Sequence, residues 1–356
     1  MKICVIFGGI STEHDVSVAS GISVIKNLNK EKYEIQPIYI DQKGQWYKYA
    51  KYISKIENLE FGEKPKELEK IENIIEAIQK NDVIFPVLHG IGGEDGSIQG
   101  LFTIIQKPYV GCGILASSIG MDKIYTKAIF EKAKINQTKY EYIRKTKEGY
   151  KYIDKEFNEE KIELDEICKK VEKNIKYPIY VKPSNSGSSV GINKAKNNNE
   201  LKKYIEYASQ FDAKIILEEE IKGKEVECAV LGNEEILASC IGEIIPEEEF
   251  YSFNAKYKDK RSKTLIPAEI PKEISEEIRK TAVKAFKAID GKGLSRIDFF
   301  VENNTNKIYI NEINTLPGFT KISMYPKLFE QAGISYEKLL DKLIEISIAT
   351  HKHKFI

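Results

Sequence analysis

Arg296-Ile-Asp298 stands fourteen residues ahead of Arg296's apparent counterpart segment, Asn311-Glu312-Ile-Asn314, counted from Asp298 to Glu312. Each segment lies at the edge of a strand-like run, Arg296 to Val301 and Lys307 to Ile313. Alternation along a strand puts Asp298 on the face of Arg296 and Glu312 on the face of Asn314. Two such strands side by side would gather three oxygen ligands and one guanidinium on a single surface. Oxygen donors of this kind suit Mg²⁺ that keeps some waters and binds substrate phosphates. The guanidinium suits negative charge developing nearby. The alternative is a pair of surface strands carrying ordinary charges. The Asn314-Thr-Leu-Pro317-Gly318 turn adds backbone N–H groups beside the carboxylates.

The first third reads as an open α/β sheet. Ile3 to Phe7 is a buried parallel strand rather than the apolar core of a signal peptide, because it runs straight into Gly8-Gly9. A helix is expected from about Asp15 to Leu28, with strands at Tyr33–Ile40 and Asp82–Leu88. Loops at the carboxyl ends of these strands are the expected ligand side. Lys51–Lys80 and Lys145–Asn174 read as peripheral helices or insertions. The character changes near Met121-Asp122-Lys123, where a helix runs to about Lys134. Tyr177–Lys182 is a strand that meets Gly187-Ser188-Ser189-Val190-Gly191. Lys214–Glu219 and Lys224–Leu231 are strands joined around Gly223. Pro246–Pro267 reads as a loop or lid. The two strands of the opening motif follow, then helices to the end.

Charge excludes some functions. Charged residues make up 31% of the 356, yet the formal net charge is +1, so no global field draws in nucleic acid or an acidic membrane. No apolar run reaches membrane-spanning length. The five cysteines are odd in number, scattered and free of C-x-x-C spacing, which reads as reduced core thiols in a cytoplasmic protein. The tail His351-Lys-His-Lys354 reads as a solvated terminus in preference to a metal-binding tract.

Several local motifs carry two readings each. Gly187–Gly191 can wrap phosphate, because glycines let the backbone approach the oxygens, or it is a plain hairpin turn. Lys123 and Lys182 supply the positive charge a nucleotide needs, or they are solvated. Glu218-Glu219-Glu220-Ile221 with Glu225 could hold an adenine edge and ribose hydroxyls, or form an acidic turn without a role. Glu13 complements a helix dipole or holds an ammonium group. His14 is expected as an exposed helix-start residue. His89 ends a buried strand before a glycine loop, as a site residue or a structural histidine. In the lid, Phe250, Tyr251, Phe253 and Tyr257 can seal a site from water while Lys256 holds a carboxylate, or they pin the loop to its own domain.

Five motifs, in the family's order, make nearly the whole chain resemble the D-alanine–D-alanine ligases of the ATP-grasp superfamily. They are Gly8-Gly9-x-Ser-x-Glu13; Leu88-His89-Gly90 with Gly92-Gly93-Glu94-Asp95-Gly96; Lys182-Pro with Gly187-Ser188-Ser189-Val-Gly191; Ala255-Lys256-Tyr257; and Arg296-Ile-Asp298 with Glu312-Ile-Asn314-Thr-x-Pro-Gly318. The resemblance implies a three-domain α/β ATP-grasp architecture: residues 1–122, then 123–226 and 227–356 clasping ATP, with a lid at about 246–267. It implies that Lys123, Lys182 and Ser189 hold ATP phosphates. Glu218, Glu219 and Ile221 would hold adenine, Glu225 the ribose, and Phe250 would pack on the base. Asp298, Glu312 and Asn314 would hold two Mg²⁺ ions, for which Mn²⁺ can substitute. Glu13 and His89 would serve the first D-alanine, and Lys256, Ser323 and Met324 the second amino acid. Glu13, Ser188 and Tyr257 would close the lid, while Arg296 and the Gly318 N–H form an oxyanion site. The implied activity is ATP-dependent formation of D-alanyl-D-alanine through a D-alanyl phosphate, for peptidoglycan precursors.

Two stretches depart from the family pattern: Ser252-Phe253-Asn254 with Lys258-Asp-Lys-Arg261 around the lid, and Lys321-Ile322 ahead of Ser323. The resemblance implies that Tyr257 favours amide over ester formation, since ester-forming relatives change that position, and that Met324 favours D-alanine, since relatives that accept D-serine tend to carry a basic residue there. The rivals are a D-serine or D-lactate ligase of the vancomycin-resistance type and, in another class, a nucleotide-binding regulatory module with a dead site. The expected partners are D-alanine and ATP, with no nucleic acid and no membrane, in a cytoplasmic homodimer.

Overall fold

A computed structural model describes residues 1–49, 59, 62–63, 65–245 and 263–354. It contains three sheets. The first begins with β1 (Lys2–Gly8), whose residues from Ile3 to Phe7 are wholly buried. An uninterrupted apolar run of that kind fits a strand covered on both faces. It pairs in parallel with β2 (Glu34–Ile40) and β5 (Val83–Leu88). Between β1 and β2 runs α1 (His14–Asn27), and its Gly21 lies so close to Phe7 that a Cβ there would stand 2.5 Å from the Phe7 side chain. Overpacking such a contact costs about 1–3 kcal/mol. β3 (Trp46–Tyr49) and β4 (Leu68–Lys70) extend the sheet antiparallel, giving the order β4-β3-β2-β1-β5. The Lys51–Lys80 stretch therefore contributes a strand, and the only helix among its described residues is the short α2 (Ile74–Gln79). α3 (Ser97–Ile104) and α4 (Ile114–Met121) complete this part.

The second sheet follows α5 (Lys123–Lys132). Its strands are β6 (Tyr140–Thr146), β7 (Gly149–Ile153), β8 (Glu159–Lys161), β9 (Ile179–Pro183), β10 (Asn193–Ala195) and β11 (Lys214–Glu219). The order is β10-β9-β11-β6-β7-β8. α6 (Leu164–Asn174) and α7 (Asn198–Ala208) cover one face with Ile167, Val171, Leu201 and Ile205 packed on Ile143, Val181 and Ile215. Lys145–Asn174 is thus a hairpin followed by a helix. Its alternation of Tyr150 and Tyr152 with lysines is a strand pattern, obscured by the surrounding charge.

The third sheet contains β12 (Gly223–Gly232), β13 (Ile236–Ile245), β14 (Lys263–Leu265), β15 (Gly293–Glu302) and β16 (Ile308–Asn314), in the order β14-β13-β12-β15-β16. β11 and β12 are adjacent in sequence but belong to different sheets. Gly223 opens β12 with a backbone contact so close that a Cβ would stand 2.1 Å from the Val301 carbonyl oxygen. A long helix, α8 (Lys272–Ala288), lies between the lid stretch and β15, where strands alone were expected; it buries Ile278, Ala282, Ala285 and Phe286. α9 (Met324–Gln331) and α10 (Tyr336–Lys354) end the chain. One apolar cluster runs from Val5 and Phe7 through Ala229 and Leu231 to Tyr325, Phe329 and Leu340, tying the first and third sheets together. Four of the five cysteines are buried and all are free thiols, as core fillers should be. Among the described residues no helix is long and apolar enough to cross a membrane.

Candidate active site

The two strands of the opening motif are antiparallel neighbours. β15 and β16 pair Arg296 with Asn314 and Asp298 with Glu312. β12, on the other side of β15, sets Glu227 opposite Asp298. Three carboxylates, Glu227, Asp298 and Glu312, therefore form a row across three strands, an arrangement that like charge alone disfavours. Arg296 answers it. Its Nε and Nη2 donate to the two oxygens of Asp298, each at 2.7 Å, and Nε lies 3.0 Å from Glu227 Oε2. Burial works against the guanidinium charge, but Asp298 and then Glu227 outweigh it and raise its pKa well above the ordinary arginine value. Asn314 Nδ2 donates to Asp298 at 3.1 Å.

The second sheet brings cations to this row. Lys123, at the start of α5, donates to the Ser186 carbonyl at 2.7 Å and stands 3.9 Å from Glu312. Asp122 caps that helix through the Ile124 N–H at 3.1 Å and accepts from Ser184 at 2.6 Å, so the lysine is placed by a braced turn. Glu218 is buried between Lys127 and Lys182, each 2.6 Å away. Burial pushes its carboxyl up; the two ammonium groups prevail and hold it well below the usual carboxylate range.

The glycine-serine loop reaches the first sheet. Ser188 and Ser189 have φ of +49° and +61°, a left-handed turn that directs the chain over the start of α1. Ser188 Oγ donates to Glu13, the residue preceding α1, and a Cβ on Gly187 would stand 2.6 Å from Glu13 Oε2. Glu13 is itself buried. His14 is buried too, contrary to the expectation of exposure: Nδ1 meets the Gly9 carbonyl at 2.6 Å and Nε2 the Tyr39 hydroxyl at 3.1 Å. Those two partners lie on the first loop and on β2, where local sequence gives no warning of them. His89 is buried with Nδ1 3.1 Å from the Leu316 carbonyl and Nε2 3.1 Å from Ser20 Oγ. Burial lowers its pKa, which favours the neutral ring.

Two cavities meet here. One of about 140 Å³ is lined by Glu13, His89, Ser188, Arg296, Gly318, Ser323 and Met324, together with Glu94, Lys123, Glu227, Glu312 and Asn314. The other, about 150 Å³, is lined by Lys182, Ser189, Glu218, Glu219, Ile221 and Glu225, again with Lys123, Ser188 and Glu312. Lys123, Ser188 and Glu312 thus stand at the junction. Ser323 Oγ accepts the Thr320 N–H at 3.0 Å and lies 2.8 Å from where a Gly318 Cβ would be. Asp298 lines neither cavity directly and reaches the first through Arg296. Phe250, Lys256 and Tyr257 lie outside the described residues.

Nearly the full chain matches one family in two blocks, described as the D-ala D-ala ligase N-terminus over residues 2–112 and the D-ala D-ala ligase C-terminus over residues 129–345. The chain belongs to the D-alanine–D-alanine ligase family. It is 48% identical to a D-alanine–D-alanine ligase of Acetivibrio thermocellus, over 98% of this chain and 96% of that one. It is 47% identical to D-alanine–D-alanine ligase B of Clostridium tetani, over 98% and 94%. Among solved structures it resembles the VanG D-Ala:D-Ser ligase from Enterococcus faecalis, with a TM-score of 0.83, 37% identity and coverage of 97% and 99%. It also resembles the Bacillus anthracis D-alanine–D-alanine ligase complexed with ATP, with a TM-score of 0.75, 30% identity and 99% of each chain covered. The architecture is accordingly the α/β ATP-grasp one of this ligase family.

Four residues that touch the side chains of the ligase site or line it escaped the sequence. Glu227 shares the alternation of Glu225 along β12, so its face was readable, but its partner Arg296 was not. Lys127 follows Lys123 by one helical turn. Glu94 stood in a recognised motif without a role. Ser20 carried no signal at all, being one serine of an ordinary buried helix.

Proposed function

We propose that the protein joins two molecules of D-alanine with hydrolysis of ATP to ADP, through a D-alanyl phosphate, supplying the dipeptide to peptidoglycan precursor synthesis. The observation that carries this is the meeting of an amino-acid-sized cavity and a lysine-lined cavity at Lys123 and Glu312. A carboxylate in the first can there face a terminal phosphate in the second.

Glu13, beside the first cavity, would take the ammonium of the first D-alanine and leave its carboxylate toward the junction. That carboxylate attacks the γ-phosphorus, and Lys123 and Lys182 offset the charge that builds on the phosphate oxygens. Glu218, Glu219, Ile221 and Glu225 line the remainder of the nucleotide cavity as contacts for base and ribose. The deprotonated amine of the second D-alanine then attacks the acyl carbon, a tetrahedral centre forms, and inorganic phosphate leaves as the C–O bond breaks and the nitrogen loses its second proton. Arg296 and the Gly318 N–H stabilise the oxyanion, a contribution of about 3 kcal/mol per donor. Ser323 and the free N–H groups at the start of α9 suit the second carboxylate. Met324 gives that subsite an apolar wall: it is buried, and its methyl end packs beside Gly242. An apolar wall fits a methyl group and offers nothing to a serine hydroxyl. Lys256 and Tyr257 are assigned from the family motif.

Among the described residues no three Asp, Glu, His or Cys side chains gather as a metal site by themselves. Asp298 and Glu312 face each other in register, and Mg²⁺ takes much of its coordination from waters and substrate phosphates. Asp298, Glu312 and Asn314 would hold two Mg²⁺ ions, or Mn²⁺ in their place; bound there, the ions would neutralise charge on the ATP phosphates. Free thiols throughout support a cytoplasmic setting. The exposed Ile104, Ile114 and Leu115 support a homodimer.

The deciding experiment measures ADP release and identifies the product with ATP, Mg²⁺ and D-alanine, then with competing D-serine or D-lactate. D-Alanine-dependent ADP release with matching D-alanyl-D-alanine is expected. Preference for D-serine at neutral pH would shift the reading toward a D-Ala:D-Ser ligase, the activity in the name of the similar VanG structure, and preference for D-lactate toward an ester-forming ligase. No D-alanine-dependent ADP release would leave a nucleotide-binding module.

A further inference from the structure

Residues 315–323 join β16 to α9 without helix or strand, and the first part of this connection, 315–319, carries Gly318. Their backbone is held by groups from the first sheet. The Leu316 carbonyl accepts from His89 Nδ1 at 3.1 Å, so that nitrogen bears the ring proton. Nε2 of the neutral ring is then an acceptor, and the Ser20 hydroxyl 3.1 Å away donates to it. Ser20 Oγ in turn accepts the Phe319 N–H at 3.2 Å. The result is a closed circuit of directed bonds that begins at Phe319, passes through Ser20 and His89, and returns at Leu316. Gly318 lies between its two ends. Ser20 and His89 are both buried, so water offers no substitute partner.

Glu94 acts on the same segment from the other side. Its Oε2 accepts the Gly90 N–H at 2.7 Å, and the Leu316 backbone acts to lower its pKa. Leu316 is therefore held at its carbonyl by His89, with Glu94 beside it in the lining of the same cavity. The Phe319 carbonyl accepts the Tyr336 hydroxyl at 2.6 Å, and that hydroxyl lies 3.1 Å from Ser23 Oγ on α1.

We propose that Ser20 and Glu94 are positioning residues for the amide-forming step, clipping the 315–319 segment to the first sheet so that the Gly318 N–H faces the oxyanion. The proposal rests on the ligase reading above and adds two residues to it. Neither side chain touches the phosphates. Loss of either slows amide formation more than phosphoryl transfer, because it misplaces a donor needed when the tetrahedral centre forms. A displacement on the ångström scale at such a donor is enough to slow a reaction strongly.

The test uses full-length wild type, Ser20→Ala, Glu94→Ala and Glu94→Gln. Phosphoryl transfer is followed by positional isotope exchange in β,γ-bridge-labelled ATP, at a D-alanine level that fills only the first subsite. Dipeptide turnover is measured at saturating D-alanine. In Ser20→Ala, turnover is expected to fall about ten- to hundredfold while exchange stays within about threefold of wild type; in Glu94→Ala, turnover is expected to fall at least about tenfold more than exchange. Glu94→Gln keeps an oxygen acceptor and is expected to recover much of the turnover. Parallel loss of exchange and turnover overturns the proposal, as does wild-type turnover in both alanine variants. Where Ser20→Ala does not fold, the Glu94 pair decides by the same readouts. Wild type that shows neither exchange nor dipeptide overturns the ligase reading itself, a result distinct from any of these.

Discussion

Arg296→Ala separates two burdens that one side chain carries. The guanidinium makes two 2.7 Å bonds to Asp298 and a 3.0 Å contact with Glu227, with its side chain 18% exposed. Removing it leaves the Glu227–Asp298–Glu312 row without its central cation. Breaking a largely buried pair by deleting one partner destabilises by about 3–5 kcal/mol. Catalysis loses an oxyanion donor as well, worth about 3 kcal/mol, which at 1.36 kcal/mol per factor of ten lowers kcat about 10²-fold. Lys123 and Lys182 remain, so the KM for ATP is expected to change by less than about fivefold. Arg296→Lys restores a charge without the planar fork, and is expected to recover stability more than turnover. The assays are chemical denaturation for stability and steady-state D-alanine-dependent ADP release for kcat and KM. A folded Arg296→Ala protein with kcat within about fivefold of wild type would refute the oxyanion role. A proportionate rise in the KM for ATP would place the residue in nucleotide binding instead.

Two further changes probe the loops around the site. Gly191→Ala puts a side chain at φ +77° with its Cβ 2.7 Å from Pro183 Cγ and 2.8 Å from Phe211 Cδ2, so a loss of about 1–3 kcal/mol and a raised KM for ATP are expected; an unchanged melting temperature would contradict the strain. The Glu94 carboxyl is pushed up to about 8 from an ordinary 4.5, first by burial and then by Glu13. The folded state therefore holds this proton more tightly than the unfolded one. Its stabilising contribution is full below 4.5 and is lost as pH rises towards and through 8. Glu94→Gln lacks this loss, so its melting temperature relative to wild type should climb from pH 5 to pH 8; a flat difference would show that Glu94 ionises normally.

The parts of the site that were legible share a physical basis. The β15–β16 edge could be read because period-two alternation fixes faces within a strand, and the motif spacing left room for only a short turn. The β1–α1–β2 beginning was readable because a strand buried on both faces is an unbroken apolar run. What sequence concealed was the identity of distant partners. Gly223 reads as a turn between neighbouring strands, yet its backbone partner is Glu302 in another sheet from β11. His14 reads as a polar helix start, and only Gly9 and Tyr39 explain how it can be buried. α8 was missed among charged residues, although its apolar positions fall at helical spacing on the buried side. Ser20 and Glu94 belong to the same class: their meaning lies in a segment more than two hundred residues away along the chain.

The row from Glu227 through Asp298 to Glu312 has a consequence during synthesis. Its first acid leaves the ribosome long before the guanidinium that steadies it, because β12 must await β15 as its neighbour. Until then the emerging chain already has the lysine-lined second sheet but neither the completed carboxylate edge nor the Gly318 turn. A nascent or truncated chain of this protein is therefore poorly equipped to split ATP idly, and the power to spend nucleotide arrives together with the means of making the peptide bond.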